Sequence, residues 1–173
     1  MRAGRGGLRE GFEPQAFDPK QDARSFTLAM ADATAAVIVP ALVRLLDVAQ
    51  AKVDLRFIPL ATRDPRALLE RGDADLALGF FPELPAMLAA EAGSGSMQLE
   101  QLWGCEYVCV MRRDHPLAAH SALTLDAFCA AQHLRVSFAG RKRGFVDDAL
   151  QRIGRERRVM ITVNQFHSAA CVV

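Results

Sequence analysis

The sequence predicts an α/β fold built on parallel strands. Three observations carry that expectation. Short alternating or apolar runs are interleaved with stretches of helical periodicity, which is the pattern of strand–helix–strand crossovers. Asp64, Pro65 and Gly72 bracket a short helix between two of those runs, with a capping oxygen, a proline suited to the first helical position and a glycine suited to the exit. Finally, 51% hydrophobic and 24% charged residues is the balance of a globular domain.

The elements follow in order. Residues 1–24 hold Gly4, Gly6, Gly7, Gly11, Pro14 and Pro19 among charges, the composition of a linker or frayed lead-in. Order is expected from Ser25, where Phe26, Leu28 and Met30 alternate with small or polar neighbours as in a strand. Asp32 and Thr34 offer capping oxygens ahead of the apolar run from Val37 to Val48. Pro40 lies inside that run and should fall in or near the first turn, because deeper in it would break the helix. Val53, Leu55 and Phe57 predict a second strand, residues 65–71 a helix, and 74–80 a third, buried strand. Right-handed crossovers then give a parallel sheet.

Pro82 and Pro85 end this unit, and residues 91–97 read as a flexible connection. Residues 98–103 and 105–111 predict strands on either side of Gly104, and 114–116 a turn. Thr124 should cap a helix reaching about Gln132, followed by a strand over 134–138 and a glycine-bounded basic loop over 139–144. A helix over 145–153 ended by Gly154 and a strand over 159–166 complete the pattern. Ser168 then looks like the cap of another helix that finds no second turn before Val173, so the second half is expected to be incomplete.

Composition narrows the function classes. A net charge of +1 gives the chain as a whole no electrostatic footprint for nucleic acid, so DNA contact would need another domain or a local patch. No apolar run approaches the roughly 18 residues of a membrane span, and the N-terminus lacks the apolar core of a secretory signal. Four cysteines are too few for a disulfide scaffold, which points to a reducing cytoplasm. There is no G-x-S-x-G elbow, no phosphate loop and no G-x-G-x-x-G turn, so no enzyme signature is present. Cys105 and Cys109, with His115 and His120, do not have the ligand spacing of a zinc finger or ribbon. Buried thiols are the expectation there, and neither metal nor cofactor is expected. Arg141, Lys142 and Arg143 precede a helix, and Arg155, Arg157 and Arg158 follow it. A solvated basic face explains most of them, while Arg143 and its loop backbone equally suit anion capture at a helix N-terminus.

In parallel α/β sheets ligands sit beyond the carboxyl ends of the strands. Here those ends carry hydroxyl, amide and aromatic groups, which suit a small, partly polar molecule but provide no nucleophile–base pair. The plainer alternative is that the hydroxyls only cap helices, which accounts well for Asp64.

The stretches FTLAMADATAAVIVPALV, ALLERGDADLALGFFPELP, CEYVCVMRRDHPLA, LTLDAFCAAQHLRVS and GFVDDALQRIGRERRVMITVNQF together resemble the effector-binding domain of LysR-type transcriptional regulators, and look most like the aromatic-inducer branch. The resemblance covers most of residues 25–166. It implies two Rossmann-like lobes of the type II periplasmic-binding-protein kind, the first over about 25–103 and the second, incomplete, over 104–173, with 1–24 as the remnant of a linker. It implies a small-molecule inducer between the lobes, touched by Asp32, Thr34, Thr62, Phe80, Ser137, Gly140 and Phe166. Where that branch often reads V-P-H-F, this chain has Val163, Asn164, Gln165 and Phe166. The implied partners are the inducer, a second copy forming a homodimer or tetramer through the complete domain, and DNA only through a helix-turn-helix domain absent here. A transporter's solute-binding protein has the same two-lobed physics but needs an export signal. An α/β enzyme needs a nucleophile, a base or a cofactor loop.

Overall fold

The computed structural model describes residues 17–90 and 97–173. The first part of the predicted linker, residues 1–16, and nearly all of the predicted flexible connection, residues 91–96, lie outside them.

Among the described residues there are five strands and six α-helices, and within each half strands and helices alternate as expected for crossovers. They are β1 (Arg24–Met30), α1 (Asp32–Ala49), β2 (Val53–Pro59), α2 (Arg66–Glu70), β3 (Leu76–Leu78), α3 (Leu84–Ala90), α4 (Leu125–Ala130), β4 (Gln132–Val136), α5 (Phe145–Arg152), β5 (Arg158–Val163) and α6 (Phe166–Ala170). The first three strands form a parallel sheet in the order β2-β1-β3, with Met30 opposite both Pro59 and Leu78. β4 and β5 form a second parallel pair, with Val136 opposite Val163 and a register shift at His133 and Leu134. In each sheet the carboxyl ends of the strands share one edge.

The core is small. Ala29 from β1, Leu60 after β2 and Ala74 before β3 are buried together, and Leu68, Leu69 and Phe81 pack on them. Leu28, Met30, Leu84 and Leu150 are buried as well. Residues 17–23 are tied to the first sheet: the Lys52 N–H donates to the Pro19 carbonyl, and the Phe17 ring meets Phe26 edge-on at 5.8 Å.

Several local expectations are corrected. α1 starts at Asp32 with Ala31 as its N-cap and no side-chain cap bond, and it carries Pro40 well inside. Pro40 and Ala36, whose carbonyl loses its usual donor, are both exposed, which leaves that carbonyl open to hydration and lowers the cost of the proline. At α2, Pro65 rather than Asp64 occupies the cap position, though the Asp64 carboxylate still accepts the Arg66 N–H at 3.1 Å. Gly72 takes a left-handed φ of +69° just past that helix, as its position predicts. Pro85 opens α3 instead of ending the unit.

Residues 98–111 carry no strand. A strand requires a neighbour for its backbone groups, and among the described residues nothing pairs with this stretch. Leu102, Trp103, Tyr107, Val108 and Val110 are left exposed. Cys105 and Cys109 are therefore exposed rather than buried. α4 is capped by Thr124 as expected, its hydroxyl accepting the Ala127 N–H at 3.2 Å. Ser168 lies inside α6 and does not cap it.

Candidate functional site

The carboxyl ends of β1, β2 and β3 present residues 31–34, 60–64 and 79–81, and those of β4 and β5 present residues 137–140 and 164–167. Two contact clusters join the two sets.

The first is built on Asp32. Its carboxylate accepts the Phe166 N–H at 3.1 Å and the His167 N–H at 2.7 Å, so it caps α6 across 134 residues of chain. Burial alone would raise its pKa, but the amide donors of His167, Phe166 and Ala33 outweigh that and hold the carboxyl below its ordinary value. Sequence reasoning had Asp32 either facing the ligand or capping α1; its carboxylate caps a helix, but α6 in the other half of the chain. The Phe166 ring beside this cap meets Phe138 edge-on at 5.6 Å. Replacing Asp32 with alanine should lower stability by about 1 kcal/mol, as loss of an N-cap does. Urea unfolding would measure it, and hydrogen exchange at the Phe166 and His167 amides should accelerate. An unchanged midpoint with unchanged exchange would mean that this cap contributes nothing.

The second cluster is aromatic and cationic. Phe80, after β3, meets Phe145 at the start of α5 edge-on at 5.1 Å. The Arg63 guanidinium lies 3.7 Å above the same Phe145 ring. Neither Arg63 nor Phe145 was singled out in the sequence. Arg63 could have been, since it follows Thr62 in a strand-end loop; Phe145 gave no signal beyond its place at a helix start.

The other candidates are placed as follows. The Thr62 hydroxyl is spent on its own turn, donating to the Asp64 carbonyl at 2.9 Å and accepting the Asp64 N–H at 3.0 Å. Thr34 sits half-buried in the first turn of α1. The Ser137 N–H continues the β4–β5 pairing by donating to the Val163 carbonyl at 2.8 Å. Its hydroxyl lies 3.4 Å from the Arg141 carbonyl, too long to hold it firmly. Gly140 takes φ +62° and closes the turn back to Ser137, with open space where a side chain would be. No direct bond joins Thr34, Thr62 and Ser137 to one another.

At the N-terminus of α5, Asp147 accepts the Gly144 N–H at 2.7 Å, and Arg143 is held by the partly exposed Asp148 carboxylate at 3.2 Å. Among the described residues no group of His, Cys, Asp and Glu is arranged to hold a metal ion, and no helix is long and apolar enough to cross a membrane.

The LysR substrate binding domain family matches residues 19–173. The chain belongs to that family. It is 34% identical over 155 residues to the HTH-type transcriptional activator NahR of Pseudomonas putida, covering 88% of this chain and 47% of that protein. It is 32% identical over 150 residues to the HTH-type transcriptional activator NagR of a Ralstonia species, covering 87% and 46%. Its fold is similar to that of the probable transcriptional regulator PA0477 from Pseudomonas aeruginosa, with a TM-score of 0.72 and 30% identity over 90% of this chain and 49% of that one. The regulatory domain of MexT, a transcriptional activator in the same species, aligns with a TM-score of 0.57 and 25% identity over 87% and 68%. The chain thus spans about half the length of the curated relatives it matches. All four of these relatives are described as transcriptional regulators or activators. The two parallel sheets are those of an effector-binding domain of LysR type, with the type II periplasmic-binding-protein architecture that the sequence led us to expect.

Proposed function

We propose that this domain senses a small molecule held between the carboxyl ends of its two sheets, without catalysis, and that the whole regulator passes occupancy to DNA through a helix-turn-helix domain outside this chain. Such a sensor works in the cytoplasm beside its DNA. The lobes would span about 25–103 and 104–173. Asp32, Thr34, Thr62, Phe80, Ser137, Gly140 and Phe166 would surround the ligand, now joined by Arg63 and Phe145.

The carrying observation is the pair of charges at the strand ends. The Asp32 carboxylate stays charged, but its acceptor oxygens are engaged by amide donors of α6, whereas the Arg63 guanidinium rests on an aromatic face. Arg63 thus places a cation beside the Phe80–Phe145 pair, the end of the site away from Asp32, and Phe80, Phe138, Phe145 and Phe166 supply apolar walls. The ligand class this favours is a small molecule with a flat apolar body and an anionic end. Ser137 and Thr34 would donate to it; Thr62 would act through its turn.

A thermal-shift screen of small aromatic and aliphatic acids tests the reading. A hit should bind Thr34→Val and Ser137→Ala about fivefold more weakly, one hydrogen bond of about 1 kcal/mol being lost in each. A hit bound equally by both variants would remove these hydroxyls from the site.

The domain should also form an isologous dimer. Val37, Val43, Leu45 and Val48 on α1 are exposed, as is Ile153 just past α5, and antiparallel pairing of α1 with the partner's α5 would cover them. Sedimentation of the whole regulator should give a dimer or tetramer, and Val48→Glu should shift it toward monomer. A monomer at micromolar concentration would count against this pairing.

A further inference from the structure

Between β4, α5 and the start of β5 lies a cavity of about 310 Å³, whose lining includes none of the residues proposed to touch the effector, although it adjoins the Ser137–Gly140 loop. Arg135, Lys142, Arg143, Arg155 and Arg157 line it against only two carboxylates. The floor is unusual. The side chains of Arg135 and Arg157 are 11% and 10% exposed, and both pair with the single carboxylate of Asp147, at 3.0 and 2.7 Å. One largely covered negative charge therefore faces two largely covered positive ones. Arg135 offsets part of the imbalance by donating to the Lys142 and Arg141 carbonyls at 2.6 and 2.7 Å. Its Nε is nonetheless buried without a hydrogen-bond partner among the described residues. A buried charge left without its full complement of acceptors is costly. At the rim, Arg143 and Arg155 pair outward with Asp148 and Asp126, in partly exposed contacts weak enough to exchange for a stronger acceptor. Lys142 makes no ion pair among the described residues.

We propose that this cavity binds a phosphate group, at a site separate from the effector cleft. A tetrahedral oxyanion supplies the missing negative charge and enough acceptor oxygens for guanidinium forks, which recognise phosphate with two parallel bonds. The volume admits more than the bare ion, so the group is either free phosphate or the end of a small phosphomonoester.

The test is a nuclear magnetic resonance titration of the 173-residue chain with inorganic phosphate and, separately, with glycerol 3-phosphate, each at constant ionic strength set by sodium chloride. The amides of residues 141–144 and 155–159 should shift saturably, while those of Thr34 and Thr62 stay still. The exposed-rim variant Lys142→Gln/Arg155→Gln should weaken the binding about tenfold or more, two charge-assisted contacts being lost. Saturation by both probes would show that the phosphate group suffices, and saturation by glycerol 3-phosphate alone would make a phosphomonoester the ligand. Shifts reproduced by sodium chloride, no saturation with either probe, unchanged affinity in the variant, or shifts centred on Thr34 and Thr62 would each overturn the proposal. The last result would move the anion into the cleft and leave the effector reading standing. A thermal shift with the same probes gives an independent readout.

Discussion

Asp147→Asn should destabilise the domain by about 2–3 kcal/mol, less than the roughly 3–5 kcal/mol lost when one member of a fully buried ion pair is removed, because these side chains keep some contact with solvent. The asparagine keeps the shape but not the charge. Only one of its two terminal atoms can accept, so either the Arg135 or the Arg157 guanidinium is left facing an N–H donor. Asp147→Glu keeps the charge and should lose much less. Urea unfolding of the three proteins decides the matter. Equal midpoints for the parent and the asparagine variant would mean that water reaches these guanidiniums freely. The same carboxylate sets a pH dependence. Burial pushes it up, but bonds from Arg157, the Gly144 N–H and Arg135 more than offset this and hold it below its ordinary value. A carboxyl with a lower pKa folded than unfolded contributes stability that is complete above the unfolded value of about 3.9 and is lost as pH falls through the folded value. The acid limb of the stability curve below about pH 4 should therefore be shallower in Asp147→Asn than in the parent.

The second large effect concerns Leu60 and Gly79. Leu60 is 7% exposed, and its truncation to alanine should cost about 2–5 kcal/mol. Gly79→Ala should cost about 1–3 kcal/mol for a different reason. A Cβ at that position would stand 2.7 Å from the Leu60 Cδ2 and 2.9 Å from the Phe81 Cζ, both too close. The two changes share a space, so they should not add. The double variant should recover about 1 kcal/mol of the sum, since the alanine at 60 gives the new methyl room while Phe81 still opposes it. Additive losses would show that Phe81 alone sets the limit. Because Gly79 directly precedes Phe80, this packing also fixes where one wall of the proposed site stands.

The crossovers were legible because they rest on local signals. Alternation marked β1 and β2, and Gly72 and Gly154 marked helix exits that do take left-handed φ. The Thr124 cap was read correctly for the same reason: its partner is three residues away. What was misread depends on distant partners. The pattern over 98–111 records residues suited to a sheet, but whether they form one depends on a neighbour that no local pattern names. Asp32 has the right chemistry for a cap beside α1, yet it serves α6, because proximity between positions 32 and 166 exists only in the fold. Pro40 was overvalued as a breaker, since its cost depends on whether the orphaned carbonyl can reach water. At the candidate site, the strand-end positions were readable from topology. The aromatic contact between Phe80 and Phe145 was not, because it joins two elements far apart in sequence.

Pro40 weakens the coupling between the two halves of α1. With no N–H at position 40, the ladder of bonds along the helix is interrupted once, on the exposed side. Opening of the last turns, where Leu45 and Val48 lie bare, need not propagate into the first turns, where Asp32 is anchored to α6. The turns beside the proposed site would thereby be insulated from fraying at the far end, the helix acting less as one rod than as a fixed peg with a looser tail.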